Sequence, residues 1–244
     1  MKIVDLTQPL TNNMPVFPQD PNFLIKELLN STKDEFTLSI LKTGLHAGTH
    51  IDAPYHFNSS GKKVSEIKLD ELVESSKEGS VKIIDFKTLP KNPNQFSSPL
   101  SNSSLSTDSR NDLKLKEDLD KEIEVNSFYS VEKRDLVIIK TKWSKNWGLD
   151  NYFTKNPYLS NESVEFLIEK EIRGLAIDGP SVDKFGETNI HKKMLFNDIW
   201  IIENLKNLEM IPETDYTSSL EFFFIPLPLP TEASPIRAFV RIED

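Results

Sequence analysis

Three of the four histidines of the chain lie in one short window, residues 46–56, which reads HAGTHIDAPYH. Because alternate residues of an extended chain share a face, His50 and Asp52 should lie side by side, with Cα atoms roughly 6–7 Å apart. In a straight strand the ends of the window would be roughly 33 Å apart, too far for one site. Gly44 and Gly48 would permit a turn, while β-branched residues and a proline oppose a helix. The window is therefore expected to fold as a curled, non-helical segment.

The same window collects the side chains that bind first-row divalent metals. Imidazole nitrogens with a carboxylate oxygen suit zinc, manganese, iron or nickel better than magnesium or calcium. The window therefore predicts a metal site; the alternative is a group of histidines satisfied by ordinary hydrogen bonds. His191, in the loop-like stretch GETNIHKK, and Glu203, after an apolar strand, are weaker candidates, because exposed histidines and solvated strand ends are common. With no cysteine in the chain, thiolate ligands, thiol nucleophiles and disulfides are excluded.

The remaining pattern is that of an α/β domain. Five short apolar runs rich in Ile and Val predict buried strands at residues 2–6, 81–86, 136–141, 175–177 and 199–202. One helix is well marked: Ser160 suits its N-cap, apolar residues follow at helical spacing, and Gly174 suits its end. A strand directly after that helix is typical of α/β folds.

Charge and hydropathy narrow the classes of partner. The net charge of −9 argues against nucleic-acid binding, which needs clustered excess Lys and Arg. The longest apolar stretch, FFFIPLPLP, is too short to cross a membrane, and the start of the chain has no apolar segment of a signal peptide. We expect a cytoplasmic protein with one domain over residues 1–244. A Ser-rich and then charged stretch at 97–122 has no apolar face and is expected to be a surface excursion.

The stretch HAGTHIDAPYHF resembles the signature of the metal-dependent cyclase-like hydrolases, the group that includes bacterial kynurenine formamidases and isatin hydrolases. The resemblance extends over nearly the whole chain, through stretches such as DLTQPLTNNMPVFPQDP, DLVIIKTKWSKNWG and HKKMLFNDIWIIENLKNL. It implies a swivelling β/β/α fold with a mixed sheet and flanking helices. It also implies a homo-oligomer, a dimer or a tetramer, that acts on a small-molecule amide or cyclic substrate.

The resemblance assigns roles to individual residues. For one ion, zinc or manganese, the implied ligands are His46, His50 and Asp52. For a second ion, present in binuclear members, they are Asp52, His191 and Glu203. His56 would be the catalytic acid and base. At the position of Phe17 the formamidases usually carry a tryptophan that packs on the substrate ring, so Phe17 is expected to bind substrate, with core packing as the alternative.

The implied reaction is metal-dependent hydrolysis of a C–N bond in a formamide or cyclic amide, through a metal-activated hydroxide with His56 moving the proton. One alternative keeps the metal site and changes the substrate to a lactone or another cyclic carbonyl, or the direction to ring closure. A second is a protein that binds metal without catalysis. Ligand histidines also need partners for their second nitrogen, and Asp178 and Asp183 are the candidates, unless they bind only solvent.

Overall fold

The computed structural model describes residues 1–73, 80–86, 122–212 and 220–242. These ranges contain twelve strands: β1 Lys2–Asp5, β2 Leu24–Leu29, β3 Leu38–Lys42, β4 His50–Asp52, β5 Val81–Asp85, β6 Glu122–Ile123, β7 Leu136–Lys140, β8 Tyr158–Leu159, β9 Gly174–Ile177, β10 Trp200–Glu203, β11 Leu220–Pro226 and β12 Ala233–Ile242. The helices are α1 Leu69–Leu72, α2 Asn161–Glu169 and α3 Asn189–Phe196. Among the described residues, no helix is both long enough and apolar enough to cross a membrane.

Eight of these strands form one mixed sheet. Its order is β1-β12-β4-β10-β9-β7-β5, and β11 pairs with β12 as well. The four strands from β10 to β5 are parallel to one another, whereas β4 runs antiparallel to both β10 and β12. The carboxyl end of β10 therefore meets the start of β4, which places Glu203 opposite His50. This junction positions the site described below.

The parallel strands are buried on both faces. Leu136 and Ile138 of β7 pack into one core with Trp200 and with Phe222 and Phe224 of β11. The alternating Val137 and Ile139 pack into a second core under α2 and α3. A strand covered on both sides needs apolar residues at every position. This explains why such strands could be recognised as continuous apolar runs.

The five predicted strands are present as β1, β5, β7, β9 and β10, and the α/β fold class is confirmed. The predicted helix begins after Ser160, whose hydroxyl oxygen accepts a hydrogen bond from the Ser163 N–H at 3.1 Å. Its predicted end at Gly174 was wrong, because α2 stops at Glu169 and Gly174 opens β9. A Cβ atom at Gly174 would lie 2.3 Å from the ring of Trp200, so this glycine serves close packing between strands. The Ser-rich stretch 97–122 lies outside the described residues, apart from Glu122.

The hairpin of β2 and β3 has a different environment. The two strands pair only with each other, and nearly all of their residues are exposed. Side chains that are large and apolar yet 42–55% exposed include Leu24, Ile25, Leu28, Phe36, Leu38, Ile40 and Leu41. Asn12 ties the hairpin to the preceding segment by two hydrogen bonds between its amide and the backbone of Ile25. The hairpin thus presents an apolar surface that the rest of the described chain does not cover.

Candidate metal centre

The window at residues 46–56 is curled and not helical, as its composition predicts. Gly48 makes the turn, with a φ of 66°, whereas Gly44 lies outside the left-handed region. The short strand β4 follows, and the chain then bends through a 3₁₀ turn at Pro54–His56. Within β4, His50 and Asp52 are two residues apart, so their side chains share a face of the sheet. Both are almost completely buried.

Pairing between β4 and β10 brings a second carboxylate to this face. Glu203 is the register partner of His50, and His50 Nε2 lies 3.5 Å from Glu203 Oε2 and 3.5 Å from Asp52 Oδ1. His46, in the preceding turn, places Nδ1 2.8 Å from Asp52 Oδ1. Residues from both ends of the curled window and from a distant strand therefore converge on Asp52.

His191 reaches the same point from a helix, and the expectation that it lies in a loop was wrong. It belongs to the first turn of α3. The carboxylate of Asp183 accepts hydrogen bonds from the N–H groups of Ile190 and His191, at 2.8 and 3.0 Å, which compensates for the free donors of the first helical turn. His191 Nε2 then lies 3.1 Å from Glu203 Oε1 and 3.4 Å from Asp52 Oδ2.

The polar atoms of this cluster fit a divalent cation. Two groups of three residues each hold their donor atoms within 4.8 Å of one another: His46, His50 and Asp52 form the first, and Asp52, His191 and Glu203 form the second. Oδ1 of Asp52 is buried, and imidazole nitrogens face it, His46 Nδ1 at 2.8 Å and His50 Nε2 at 3.5 Å. A buried carboxylate is costly unless positive charge or hydrogen-bond donors face it, and a divalent cation held by these same nitrogens would supply that charge. Imidazole nitrogens and carboxylate oxygens are ligands for zinc and manganese.

The electrostatics of the cluster point the same way. Burial by itself lowers the pKa of His46, but the carboxylate of Asp52, with smaller effects of Glu203 and Asp20, raises it to about 9. Burial also lowers the pKa of His191, yet Asp183, Asp52 and Glu203 raise it well above its usual value. Without a cation, the carboxylates thus hold protons on these imidazoles. A divalent cation competes for the same nitrogen electron pairs and releases those protons.

His56 differs from the other three histidines. Burial lowers its pKa to about 4; the attraction of Asp52 is offset by repulsion from His46 and His191. Its ring lies 4.5 Å from that of His46 and 6.3 Å from that of His191, between centroids, and it lines the same cavity. His56 is therefore a neutral imidazole at pH 7, beside the cluster.

Two of the three histidines of the cluster have a hydrogen-bond partner on the outer nitrogen. His191 Nδ1 lies 2.6 Å from Asp183 Oδ2, which confirms one of the two aspartates expected in this role. The other, Asp178, instead accepts hydrogen bonds from the N–H groups of Thr141 and Lys142, at 2.9 and 2.7 Å. Burial raises the pKa of Asp178 to about 6.

The partner of His50 was not expected from the sequence. His50 Nδ1 lies 2.9 Å from the carbonyl oxygen of Gly48, and an outer hydrogen bond of this kind fixes the orientation of an imidazole ligand. For His46, Glu232 Oε1 lies 3.9 Å from Nε2, which is beyond hydrogen-bond distance.

A cavity of about 260 Å³ opens over the cluster. Phe17 lies on its wall and is 37% exposed; its ring meets Phe153 edge-on at 5.7 Å and lies 6.0 Å from Phe185. Sequence reasoning found Phe17 but missed Phe153, which also lines the cavity. It also missed other lining residues, namely Phe57, Glu187 and Asn204. Phe57 directly follows His56 in the marked window, whereas no local pattern marks Phe153, which only the fold brings to the cavity.

Comparison with known proteins identifies the family and relatives with the same fold. The family model described as putative cyclase matches residues 4–184. Kynurenine formamidase from Bacillus cereus is 29% identical over 98% of this chain and 96% of its own. Isatin hydrolase A from Labrenzia aggregata, bound to benzyl benzoate, superposes with a TM-score of 0.74 and 22% identity, over 100% of this chain and 94% of that one. A predicted metal-dependent hydrolase from Bacillus stearothermophilus gives 0.68 and 24%, over 98% and 97%.

Proposed function

Since the chain belongs to the cyclase family and is a metal-dependent hydrolase of C–N bonds other than peptide bonds, we propose that it hydrolyses an aromatic formamide or a cyclic aromatic amide. The observation that carries this proposal is a buried histidine and carboxylate cluster at the floor of a cavity with phenylalanines on its wall. Aromatic side chains favour edge-on and offset contacts with a second ring. Phe17, with Phe153 beside it, is suited to hold the aromatic ring of such a substrate.

The ion in this proposal is zinc or manganese, with one or two ions per chain. His46, His50 and Asp52 would hold the first, and Asp52, His191 and Glu203 the second. The donor set supports this assignment, because the buried carboxylate of Asp52 is common to both groups and imidazole nitrogens converge on it. Bound there, a divalent metal supplies Lewis acidity for the carbonyl group and lowers the pKa of a bound water molecule.

The proposed work of His56 is proton transfer. Its neutral ring can accept a proton from the attacking water and then return it to the departing nitrogen. Its position supports this role, since it lines the cavity beside the cluster but belongs to neither group of candidate ligands. Asp52 and Glu203 would hold the ion, and the phenylalanines give the wall of the cavity an apolar surface.

The test measures metal content and turnover on the same purified protein. Zinc, manganese, iron and nickel are quantified, and hydrolysis of N-formylkynurenine and of isatin is followed before chelation, after chelation and after reconstitution with each ion. We expect one or two ions per chain and hydrolysis of at least one substrate that chelation abolishes and zinc or manganese restores. Magnesium is the control ion, because it prefers an all-oxygen site. Absence of metal after reconstitution would contradict the proposal.

We also propose that the protein is a homo-oligomer, and the exposed hairpin of β2 and β3 supports this. An isolated two-stranded hairpin is marginally stable in water, and a contiguous apolar surface of this kind is typical of a protein contact. Ile25 and Leu41 face each other across the two strands. The double variant Ile25→Glu, Leu41→Glu should shift the mass measured by light scattering to that of a monomer, whereas Leu69→Glu, at an exposed site outside the hairpin, should not. The expected cytoplasmic location stays a prediction, which cell fractionation would test.

A further inference from the structure

A chain of buried hydrogen bonds lies behind His50. The hydroxyl group of Tyr152 donates to Asn204 Oδ1 at 2.8 Å, and Asn204 Nδ2 donates to the carbonyl oxygen of Gly48 at 3.0 Å. His50 Nδ1 lies 2.9 Å from that same oxygen. Tyr152, Asn204 and His50 are all almost completely buried. Four residues from three separate parts of the chain thus share one hydrogen-bond path.

The direction of every bond in this path follows from chemistry. A carbonyl oxygen can only accept, so both His50 Nδ1 and Asn204 Nδ2 must carry the hydrogen. The amide of Asn204 then has its oxygen toward Tyr152, and the phenol must be the donor there. Burial, together with the negative charges of Asp178 and Glu203, raises the pKa of Tyr152 well above its usual value, so the phenol keeps its proton.

Ring packing and backbone hydrogen bonds hold Tyr152 and Asn204 in place. The ring of Tyr152 meets Trp147 and Phe153 edge-on, each at 5.1 Å between centroids. Asn204 follows Glu203 directly and has a left-handed backbone with a φ of 61°, which asparagine tolerates better than most residues. Its N–H donates to the Gly179 carbonyl at 2.8 Å, and its own carbonyl accepts from the Thr49 hydroxyl at 2.7 Å.

We propose that Tyr152 and Asn204 are positioning residues of the metal centre, which hold the carbonyl group of Gly48 in place and, through it, the tautomer and the orientation of His50. This inference rests on the proposed function, because it assumes that His50 is a metal ligand. With the hydrogen held on Nδ1, the electron pair of His50 lies on Nε2, the atom that faces Asp52 and Glu203. Asn204 also anchors the backbone next to Glu203, so the two residues orient candidate ligands on two adjacent strands.

The variant Tyr152→Phe tests the inference with little change in packing, because it removes only the hydroxyl group. Asn204 Oδ1 then loses its donor in a buried place, and the amide is free to turn away from Gly48. Loss of such an outer partner typically weakens metal binding about 10- to 100-fold. We expect a loss of that size in the affinity for zinc, measured by competition with a chelator, and an altered visible spectrum of the cobalt-loaded protein. Tyr129→Phe, at a 67% exposed position, is the matched control and should change neither.

The possible results separate this inference from the proposed function. If the wild-type protein binds zinc and Tyr152→Phe has the same affinity and the same cobalt spectrum, the positioning role is overturned while the proposed function stands. If the wild-type protein binds no metal, the proposed function fails. Nitrogen NMR of the His50 ring then still reads the tautomer directly, and an unchanged tautomer in the variant overturns the inference. If Tyr152→Phe no longer unfolds cooperatively on heating, the same measurements are made on Asn204→Ala. That variant interrupts the hydrogen-bond path at Asn204 instead of at Tyr152.

Discussion

In most proteins charged side chains are exposed and large apolar side chains are buried. The metal centre departs from this rule by burying polar groups, and the hairpin of β2 and β3 departs from it by exposing apolar ones. At the centre, His50, Asp52 and Glu203 are polar and buried, whereas in the hairpin Ile40 and Leu41 are apolar and about half exposed. Burial of polar groups is costly unless partners satisfy them, and exposure of contiguous apolar surface is uncommon in monomers. Each region therefore carries a cost that the described chain alone does not offset. In our proposals the missing partner is an ion in the first case and a second copy of the protein in the other.

The two regions also differ in how firmly the rest of the protein holds them. His50 and His191 have hydrogen-bond partners on their outer nitrogens, and those partners are themselves hydrogen-bonded or fixed by packing. The hairpin is tied to the neighbouring segment by the amide of Asn12. Substitutions at the centre should therefore have large effects on metal binding and turnover. Substitutions in the hairpin should have little effect on the stability of the monomer.

The largest effect is expected for Asp52→Ala, which removes the carboxylate common to both groups of candidate ligands. We expect the purified variant to retain no zinc or manganese and to have no measurable turnover, since three imidazoles lose their shared partner. Elemental analysis measures this directly. Asp20→Ala, which alters a carboxylate elsewhere in the cavity lining, should keep its metal. Full metal content in Asp52→Ala would mean that the buried cluster does not need this carboxylate to hold an ion, and the proposed reason for its burial would fail.

Next in size is His56→Ala. Because His56 lies beside the cluster but in neither group of candidate ligands, this variant should keep its metal and lose about 10²- to 10⁴-fold in kcat. Metal content and steady-state kinetics on the same preparation provide the test. Loss of metal would make His56 a ligand, and unchanged turnover would exclude its role in proton transfer.

Truncation of one isoleucine in each region should change the free energy of unfolding by different amounts. Ile51, between His50 and Asp52, is 0% exposed, whereas Ile40 in β3 is 50% exposed. We expect Ile51→Ala to lower the free energy of unfolding by about 2–5 kcal/mol because it leaves a cavity. Ile40→Ala should stay within about 0.5 kcal/mol at protein concentrations where the chain is monomeric. Urea unfolding at two protein concentrations measures both, and a large effect of Ile40→Ala in the dilute sample would mean that the hairpin is packed within its own chain.

Asp178 offers a comparison through pH. Burial raises its pKa from 3.8 to about 6 in the folded protein, so the unfolded chain loses this proton at a lower pH than the native state does. The stability that this group contributes is therefore full below about pH 4 and declines as the pH rises toward about 6. As the pH rises over that interval, the wild-type protein should lose about 3 kcal/mol of unfolding free energy relative to Asp178→Asn, which has no group that titrates there. The figure follows from roughly 1.4 kcal/mol per pKa unit. Asp34→Asn, at an exposed carboxylate in the hairpin turn, is the control, and a flat difference for Asp178→Asn would contradict the assignment.

The smallest effect at the centre is expected for Asp183→Asn. An amide in place of this carboxylate keeps only one acceptor oxygen, so it cannot accept from the Ile190 N–H on one atom and from the His191 N–H and Nδ1 on the other. We expect zinc affinity to fall about 10- to 100-fold with the fold intact. Chelator competition measures the affinity, and Asp198→Asn, at an exposed site, controls for the loss of one negative charge. An unchanged affinity would mean that Asp183 supports α3 alone.

The parts of the fold that were predictable are the strands buried on both faces. For β5, β7, β9 and β10 the core covers both sides, so the local sequence records the environment. The hairpin could not be recognised in this way, because its apolar residues follow no burial pattern. The end of α2 was misplaced because Gly174 is required by the ring of Trp200, a contact between two strands. From the sequence alone, a glycine that ends a helix cannot be distinguished from a glycine that makes room for a neighbouring side chain.

The candidate site was predictable only where its residues are neighbours in sequence. The spacing of His50 and Asp52 follows from the two-residue period of a strand, and the structure places them on one face as expected. His191 and Glu203 were only weak candidates from their own surroundings, and the resemblance made them candidate ligands. Tyr152 and Asn204 gave no signal at all, because their hydrogen bond joins residues 52 positions apart and depends on the completed sheet.

The antiparallel junction of β4 with β10 has a consequence for the order of events during folding. His50 comes from the first quarter of the chain and Glu203 from the last, so their meeting closes a very long loop. Such long-range contacts are slow to form, and α3 must also dock before His191 arrives. Capture of the ion at all its ligands would therefore mark the end of assembly rather than its beginning, and a newly made chain would pass through most of its sheet formation before it can hold metal.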